Sequence, residues 1–136
     1  MENYKTILPT FIVVGANKGG TTSIYHYLKQ HKQVYLSPVK EPHFFSKDID
    51  VNLFKREFAQ NKLQDIDKYV NGEMKEEFHA AFIRDVEQYK KLFSKVQDQK
   101  AVGELSTSYL FSEVAAKEIK ALIPDCKIII CLRNPF

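Results

Sequence analysis

Residues 11–23 read FIVVGANKGGTTS. An apolar, β-branched run leads into a turn with Gly15, Gly19 and Gly20, after which Thr21, Thr22 and Ser23 open a helix-like pattern. Glycine lets a backbone curl tightly and bring its N–H groups close to an anion, and a helix N-terminus adds partial positive charge. Strand, glycine turn and helix in succession therefore predict a phosphate-binding loop. The position of its lysine is unusual. The nucleotide triphosphatase signature GxxxxGK[ST] puts lysine after the second glycine, where this chain has Thr21, whereas the cation here is Lys18, inside the turn.

A second apolar run, KIIICL at residues 127–132, matches FIVV in character. Both have the pattern of strands covered on both faces in a parallel sheet, and residues 34–36 and 101–105 are weaker strand candidates. Helical patterns lie between them. Residues 22–31 set Ile24 and Leu28 one turn apart, and residues 82–93 carry a stripe of Phe82, Val86, Tyr89 and Phe93. Residues 112–123 begin with Ser112 as N-cap and Glu113 in the first turn, and Pro124 closes them. Strands alternating with helices predict an α/β three-layer sandwich around a central parallel sheet, with right-handed crossovers, as in P-loop nucleotide triphosphatases.

Residues 47–80 are charged, with Phe54, Phe58, Ile66 and Phe78 scattered through them. They read as a helix over 51–60 and an exposed connection near Asn71 and Gly72, forming either a solvated excursion or a cover over a ligand site. The chain contains no internal repeat. Because RNPF follows the KIIICL strand directly, with no helix to cover the sheet, residues 1–136 read as the N-terminal portion of one domain, truncated at its C-terminus.

The 136 residues are 44% hydrophobic, enough for one ordinary core. No stretch approaches the ~20 apolar residues of a membrane span, and the N-terminus MENYKTILPT lacks the apolar core of a secretory signal, so a cytoplasmic protein is expected. A net charge of +3 without a Lys/Arg block suits a small anionic ligand as well as nucleic acid. Cys126 and Cys131 fall at odd spacing on one strand-like run, so their side chains point to opposite faces and free thiols are expected.

A triphosphatase also needs Mg²⁺, held in part by an acid that ends a second apolar strand. Here that strand leads to Arg133. Lysine inside the turn, with a cation in place of the acid, points to a phosphate group bound without metal.

GANKGGTTSIYHYLKQH, the KEPHFF of residues 40–45, GELSTSYL at 103–110 and IIICLRNP at 128–135 together resemble the sulfotransferases that use 3′-phosphoadenosine 5′-phosphosulfate (PAPS). The resemblance is to the branch of heparan sulfate enzymes and their bacterial relatives. It covers residues 11–46 and about 89–136. It implies that Lys18, Gly19, Gly20, Thr21, Thr22 and Ser23 hold the 5′-phosphate and the sulfuryl group, and that Arg133 contacts the 3′-phosphate. A family serine that also holds the 3′-phosphate would fall beyond Phe136. The implied cofactor is PAPS, leaving as adenosine 3′,5′-bisphosphate, with no metal expected.

Sulfuryl transfer moves a less negative group than phosphoryl transfer, and its need is for a positioned cation at the bridging oxygen as the S–O bond breaks. Lys18 would be that cation. An acceptor that attacks sulfur must lose a proton to a base. The candidates are Glu41 and His43, and the resemblance implies Glu41. Without it, Glu41 reads as half of a surface pair with Lys40, and His43 as a structural imidazole. Lys40, His43 and Ser106 are the substrate-binding candidates, and Thr107 and Ser108 could line the same cleft. Phe44, Phe45, Tyr109 and Leu110 read as packing residues. Related heparan sulfate enzymes often carry lysine where this chain has Leu105, so that position lends no support to polysaccharide binding. The implied reaction carries the sulfuryl group to a hydroxyl or an amine of a small-molecule or carbohydrate acceptor, with neither nucleic acid nor membrane expected. The alternatives are a P-loop kinase or triphosphatase, and a noncatalytic nucleotide-binding fragment.

Overall fold

The computed structural model describes residues 6–16, 18–50, 52 and 65–134. The FIVVG run forms strand β1 (Phe11–Gly15), and α1 (Thr21–Lys29) follows the glycine turn. The chain then passes through β2 (Val34–Leu36), β3 (Val39–Glu41), α2 (Ile66–Val70), β4 (Phe78–Ala80), α3 (Val86–Lys91), β5 (Ala101–Leu105), α4 (Ala115–Leu122) and β6 (Lys127–Cys131). A short 3₁₀ helix at Thr107–Leu110 follows β5.

Strands β2, β5, β1 and β6 form a four-stranded sheet in that order, and every pairing in it is parallel. Alternation along β1 divides the core between the faces. Ile12 and Val14 point toward α3 and α4, joining Tyr89, Leu92, Phe93, Ala115 and Ile119. Phe11 and Val13 point the other way, packing with Tyr25 and Leu28 of α1 and with Leu105. The expected three-layer α/β sandwich around a parallel sheet is the observed architecture. Outside it, β3 and β4 make a two-stranded parallel ribbon, with Val39 opposite Phe78 and Glu41 opposite Ala80. Neither strand was legible from hydrophobic pattern.

The helix expected over 82–93 begins only at Val86, because the Asp85 carboxylate caps it by accepting from the Gln88 amide at 2.9 Å. Phe82 lies outside the helix and stacks on His43, with ring centroids 4.9 Å apart. The helix expected over 112–123 begins only at Ala115, with Val114 rather than Ser112 as its N-cap. Ser112 lies before the cap and accepts from the Ala115 amide at 3.0 Å. The helix expected over 51–60 lies, apart from residue 52, outside the described residues. Asn71 and Gly72 are exposed as expected, and Phe44, Phe45 and Tyr109 are core residues. Leu110 instead stands exposed, at the outer end of the 3₁₀ turn.

One expectation is corrected. β6 was expected to be covered on both faces, yet it is an edge strand among the described residues, with Ile128, Ile129 and Ile130 exposed at 45%, 45% and 56%. It pairs along its whole length with β1, which satisfies its ladder on one side only. No helix of the described residues is long and apolar enough to cross a membrane.

The β1–β6 pairing constrains the start of the glycine turn. A Cβ placed on Gly15 would lie 2.7 Å from the Cys131 carbonyl oxygen and 3.1 Å from Thr21 Cγ2. Backbone crowding of this kind cannot be relieved by a side-chain rotation. Gly15→Ala is therefore expected to lower unfolding stability by about 1–3 kcal/mol, read as a reduced urea midpoint at unchanged m-value. An unchanged midpoint would show that the two strand ends can separate freely.

Candidate active site

The site gathers at the carboxyl ends of the central strands. The glycine turn leaves β1, bonded through the Ala16 amide to the Cys131 carbonyl oxygen (3.0 Å) and through the Gly19 amide to the Ala16 carbonyl oxygen (2.9 Å). A Cβ on Gly19 would sit 2.8 Å from that same Ala16 oxygen, so the turn is as tight as its glycines suggested. Lys18 takes a left-handed conformation at φ 58°, and Gly20 sits at φ 90°. Lysine seldom occupies that region, and such conformations persist where surrounding structure enforces them, often at functional sites. Lys18 is exposed. Gly20 caps α1 without any side-chain hydrogen bond, and the first turn holds no acidic residue. Thr22 and Ser23 are exposed there, and Thr21 is buried beneath. Arg133, just past β6, reaches back so that Nη1 lies 3.4 Å from the Lys18 carbonyl oxygen.

Facing this turn is β3. Lys40 is almost fully buried and donates from Nζ to Thr22 Oγ1 at 2.8 Å, tying β3 directly to the first turn of α1. Burial holds its pKa below the ordinary lysine value, and the neighbouring Glu41 opposes that shift. The Glu41 carboxylate, 3% exposed, is held at both oxygens. Oε1 accepts from the Thr107 amide at 3.1 Å. Oε2 lies 3.4 Å from His79 Nε2 and 4.0 Å from His43 Nε2. The surface pair with Lys40 is thus replaced by a buried arrangement in which the two side chains serve different partners.

His43 is fully buried, in a left-handed backbone conformation at φ 50°. Its Nδ1 lies 2.6 Å from Ser108 Oγ, which is in turn 2.7 Å from Ser46 Oγ. Burial pushes its pKa down to about 4, with Glu41 opposing, so the ring is neutral near physiological pH. The loop that carries it is clasped by Arg84, whose guanidinium donates to the carbonyl oxygens of His43, Ser46 (3.2 Å) and Ile49 (3.4 Å).

Ser106 is fully buried and donates to Glu104 Oε2 at 2.8 Å while accepting from the His43 amide at 3.2 Å. Its hydroxyl supports the site from the interior. Leu105 is buried between β1 and α1. An open cavity of about 150 Å³ lies between α1 and the β3–β4 ribbon, with Thr22, Lys40 and His79 in its wall. Among the described residues, no three His, Cys, Asp or Glu side chains gather as a metal-ligating group.

A model described as the sulfotransferase family matches residues 9–136. The chain belongs to the sulfotransferase family. It is 29% identical over 135 residues to the membrane-associated sulfotransferase kil1 of Dictyostelium discoideum, spanning 99% of this chain and 22% of that protein. It is 25% identical over 127 residues to heparan sulfate glucosamine 3-O-sulfotransferase 6 of Homo sapiens, spanning 93% of this chain and 27% of that one. The crystal structure of a sulfotransferase from Alicyclobacillus acidocaldarius superposes at a TM-score of 0.64 with 36% identity, covering 91% of this chain and 44% of that one. The chain therefore spans less than half the length of each of these relatives.

This member of the sulfotransferase family brings together Lys40 and Thr22 by direct contact, and sets Glu41 beside His43. Sequence reasoning missed His79, which no pattern in a three-residue strand could reveal, and Arg84, which acts through its loop contacts. It also missed Glu104, although a carboxylate inside the strand-like run AVGEL was a visible signal. Glu104 Oε1 accepts from Tyr89 and Tyr109 hydroxyls, both at 2.8 Å. Burial raises its pKa to about 7 from 4.5, against the opposing effect of these hydrogen bonds.

A carboxyl whose pKa is higher folded than unfolded binds more protons in the native state, so its contribution to stability declines as pH rises. For Glu104 the contribution is complete below about 4.5 and disappears as pH climbs through about 7. His43 has the opposite slope, so the test is a difference. The stability of wild type minus that of Glu104→Gln, from urea unfolding, should fall between pH 5 and pH 8. A constant difference would show that Glu104 titrates normally.

Proposed function

We propose that this sulfotransferase chain binds PAPS at the glycine turn and transfers its sulfuryl group to a carbohydrate hydroxyl, with Glu41 as the base. The observation that carries the reading is the Lys40–Thr22 hydrogen bond, which holds the strand bearing Glu41 against the first turn of the helix that follows the phosphate loop. The residues present fit the donor. The turn is too tight for a Cβ at Gly15 or Gly19, its lysine is exposed, and the α1 N-terminus is free of acidic residues. Lys18, Gly19, Gly20, Thr21, Thr22 and Ser23 would hold the 5′-phosphosulfate, and Arg133 the 3′-phosphate. Bound there, PAPS supplies a sulfuryl group on a phosphate leaving group.

The chain's own residues have separable tasks. Lys18 sets an ammonium where negative charge grows on the departing oxygen. Glu41, oriented by the Thr107 amide, takes the acceptor proton. Lys40 lies near enough to the loop to hold sulfuryl oxygens, and neutral His43 orders the acceptor side through Ser108 and Ser46. The acceptor class follows the heparan sulfate relative, whose name specifies transfer to oxygen of a glucosamine unit. A reducing compartment such as the cytoplasm fits Cys126 and Cys131, both unpaired.

Calorimetry on the full-length protein should find tighter binding of adenosine 3′,5′-bisphosphate than of ATP with Mg²⁺; a preference for ATP would overturn the reading. Lys18→Ala should retain bisphosphate binding and lose about a hundredfold or more in kcat, the usual effect of removing one preorganised donor, about 3 kcal/mol. Wild-type turnover in that variant would remove Lys18 from the mechanism.

A further inference from the structure

A base that is 3% exposed can take a proton once, and must then pass it on before the next turnover. Two imidazoles flank Glu41 Oε2, and they differ in the one property that matters for this purpose. His43 is fully buried at 4.0 Å, with its Nδ1 against the buried hydroxyl of Ser108. His79 is nearer, at 3.4 Å, and its side chain is 41% exposed in the wall of the cavity between α1 and the β3–β4 ribbon. The pairing of β4 alongside β3 is what sets it there. We propose that His79 is the relay through which the proton taken up by Glu41 reaches solvent. It would act through Glu41, without touching the reacting atoms, and the proposal rests on Glu41 being the base.

The step balances without any further reactant. The acceptor O–H bond breaks and its proton goes to Glu41 Oε2, while the oxygen's electron pair forms the new O–S bond. The S–O bond to the nucleotide phosphate opens, and its electron pair leaves on that phosphate. Glu41, now neutral, gives its proton to His79 Nε2 and returns to carboxylate, and the exposed imidazolium releases a proton to water.

The charged and titratable groups around His79 are compatible with this role. Glu41 and Lys40 face it from β3, Glu77 from the approach to β4, and His26 from α1. Burial, with Lys40, holds the His79 pKa below its ordinary value, and Glu41 opposes them. The ring is therefore neutral at physiological pH and able to accept.

The test uses the full-length protein with Glu41→Gln, His79→Ala and His79→Gln. His79→Ala should lower kcat about tenfold or more at unchanged KM for PAPS, and added imidazole should restore it in proportion to its free-base concentration. His79→Gln, which preserves bulk, should show the same deficit in kcat. By NMR titration in the absence of ligands, the His79 ring pKa should fall in Glu41→Gln, since the carboxylate that raises it is gone. Wild-type kcat in both His79 variants, a deficit that imidazole leaves untouched, or a His79 pKa unmoved by Glu41→Gln would each overturn the relay. Full turnover in Glu41→Gln would instead overturn Glu41 as the base, a separate outcome from a dead Glu41→Gln beside fully active His79 variants.

Discussion

The parallel pairing of β1 on both sides is the constraint from which the rest follows. In an open parallel sheet all strands deliver their carboxyl ends to one edge, and ligands bind in the crevice there. Phe11 aligns with Gly103 of β5 and with Lys127 of β6, so segments far apart in sequence leave the sheet as neighbours. The glycine turn follows β1, the Ser106–Thr107 segment follows β5, and Arg133 follows β6. A single register thus brings together the loop, the amide that orients Glu41 and the second cation.

The site's polar groups are bound to the core as tightly as its apolar ones. Glu104 gathers hydroxyls from Tyr89, Tyr109 and Ser106, and Ser106 passes the connection to the His43 amide. A buried carboxyl left without such donors would cost several kcal/mol, on the order of 1–3 for each unsatisfied group. The network therefore gives the loop at residues 43–46 one preferred position. Arg84 reinforces it from the opposite side by filling backbone carbonyls that have no place in a strand or helix. Preorganisation of this kind is what allows a base to act without reorganising at the moment of reaction.

Legibility in the sequence followed the range of the interactions. Strands β1 and β6 were readable because each is a short β-branched run, β2 and β5 less so because each carries a single β-branched residue, and the glycine turn was readable because three glycines between a strand and a helix mark a tight turn. The β3–β4 ribbon was not: each strand is three residues long, too short for alternation to register, and exists only because the two pair with each other. The exposure of β6 among the described residues was not written in the run itself, since a continuous apolar run looks the same whether or not a layer covers its faces.

For the candidate site, local chemistry in the sequence determined the cradle: Lys18 inside a glycine turn, a hydroxyl-rich helix start and an acid at residue 41. Those features depend on neighbours a few positions away. The tertiary structure alone decided what surrounds the acid, drawing Thr107, His43 and His79 to one carboxylate and burying Ser106 behind it. The reason is that a hydrogen bond between Thr107 and Glu41 spans a separation of 66 residues, and nothing in the spacing of either segment encodes where the other will lie until the sheet has formed.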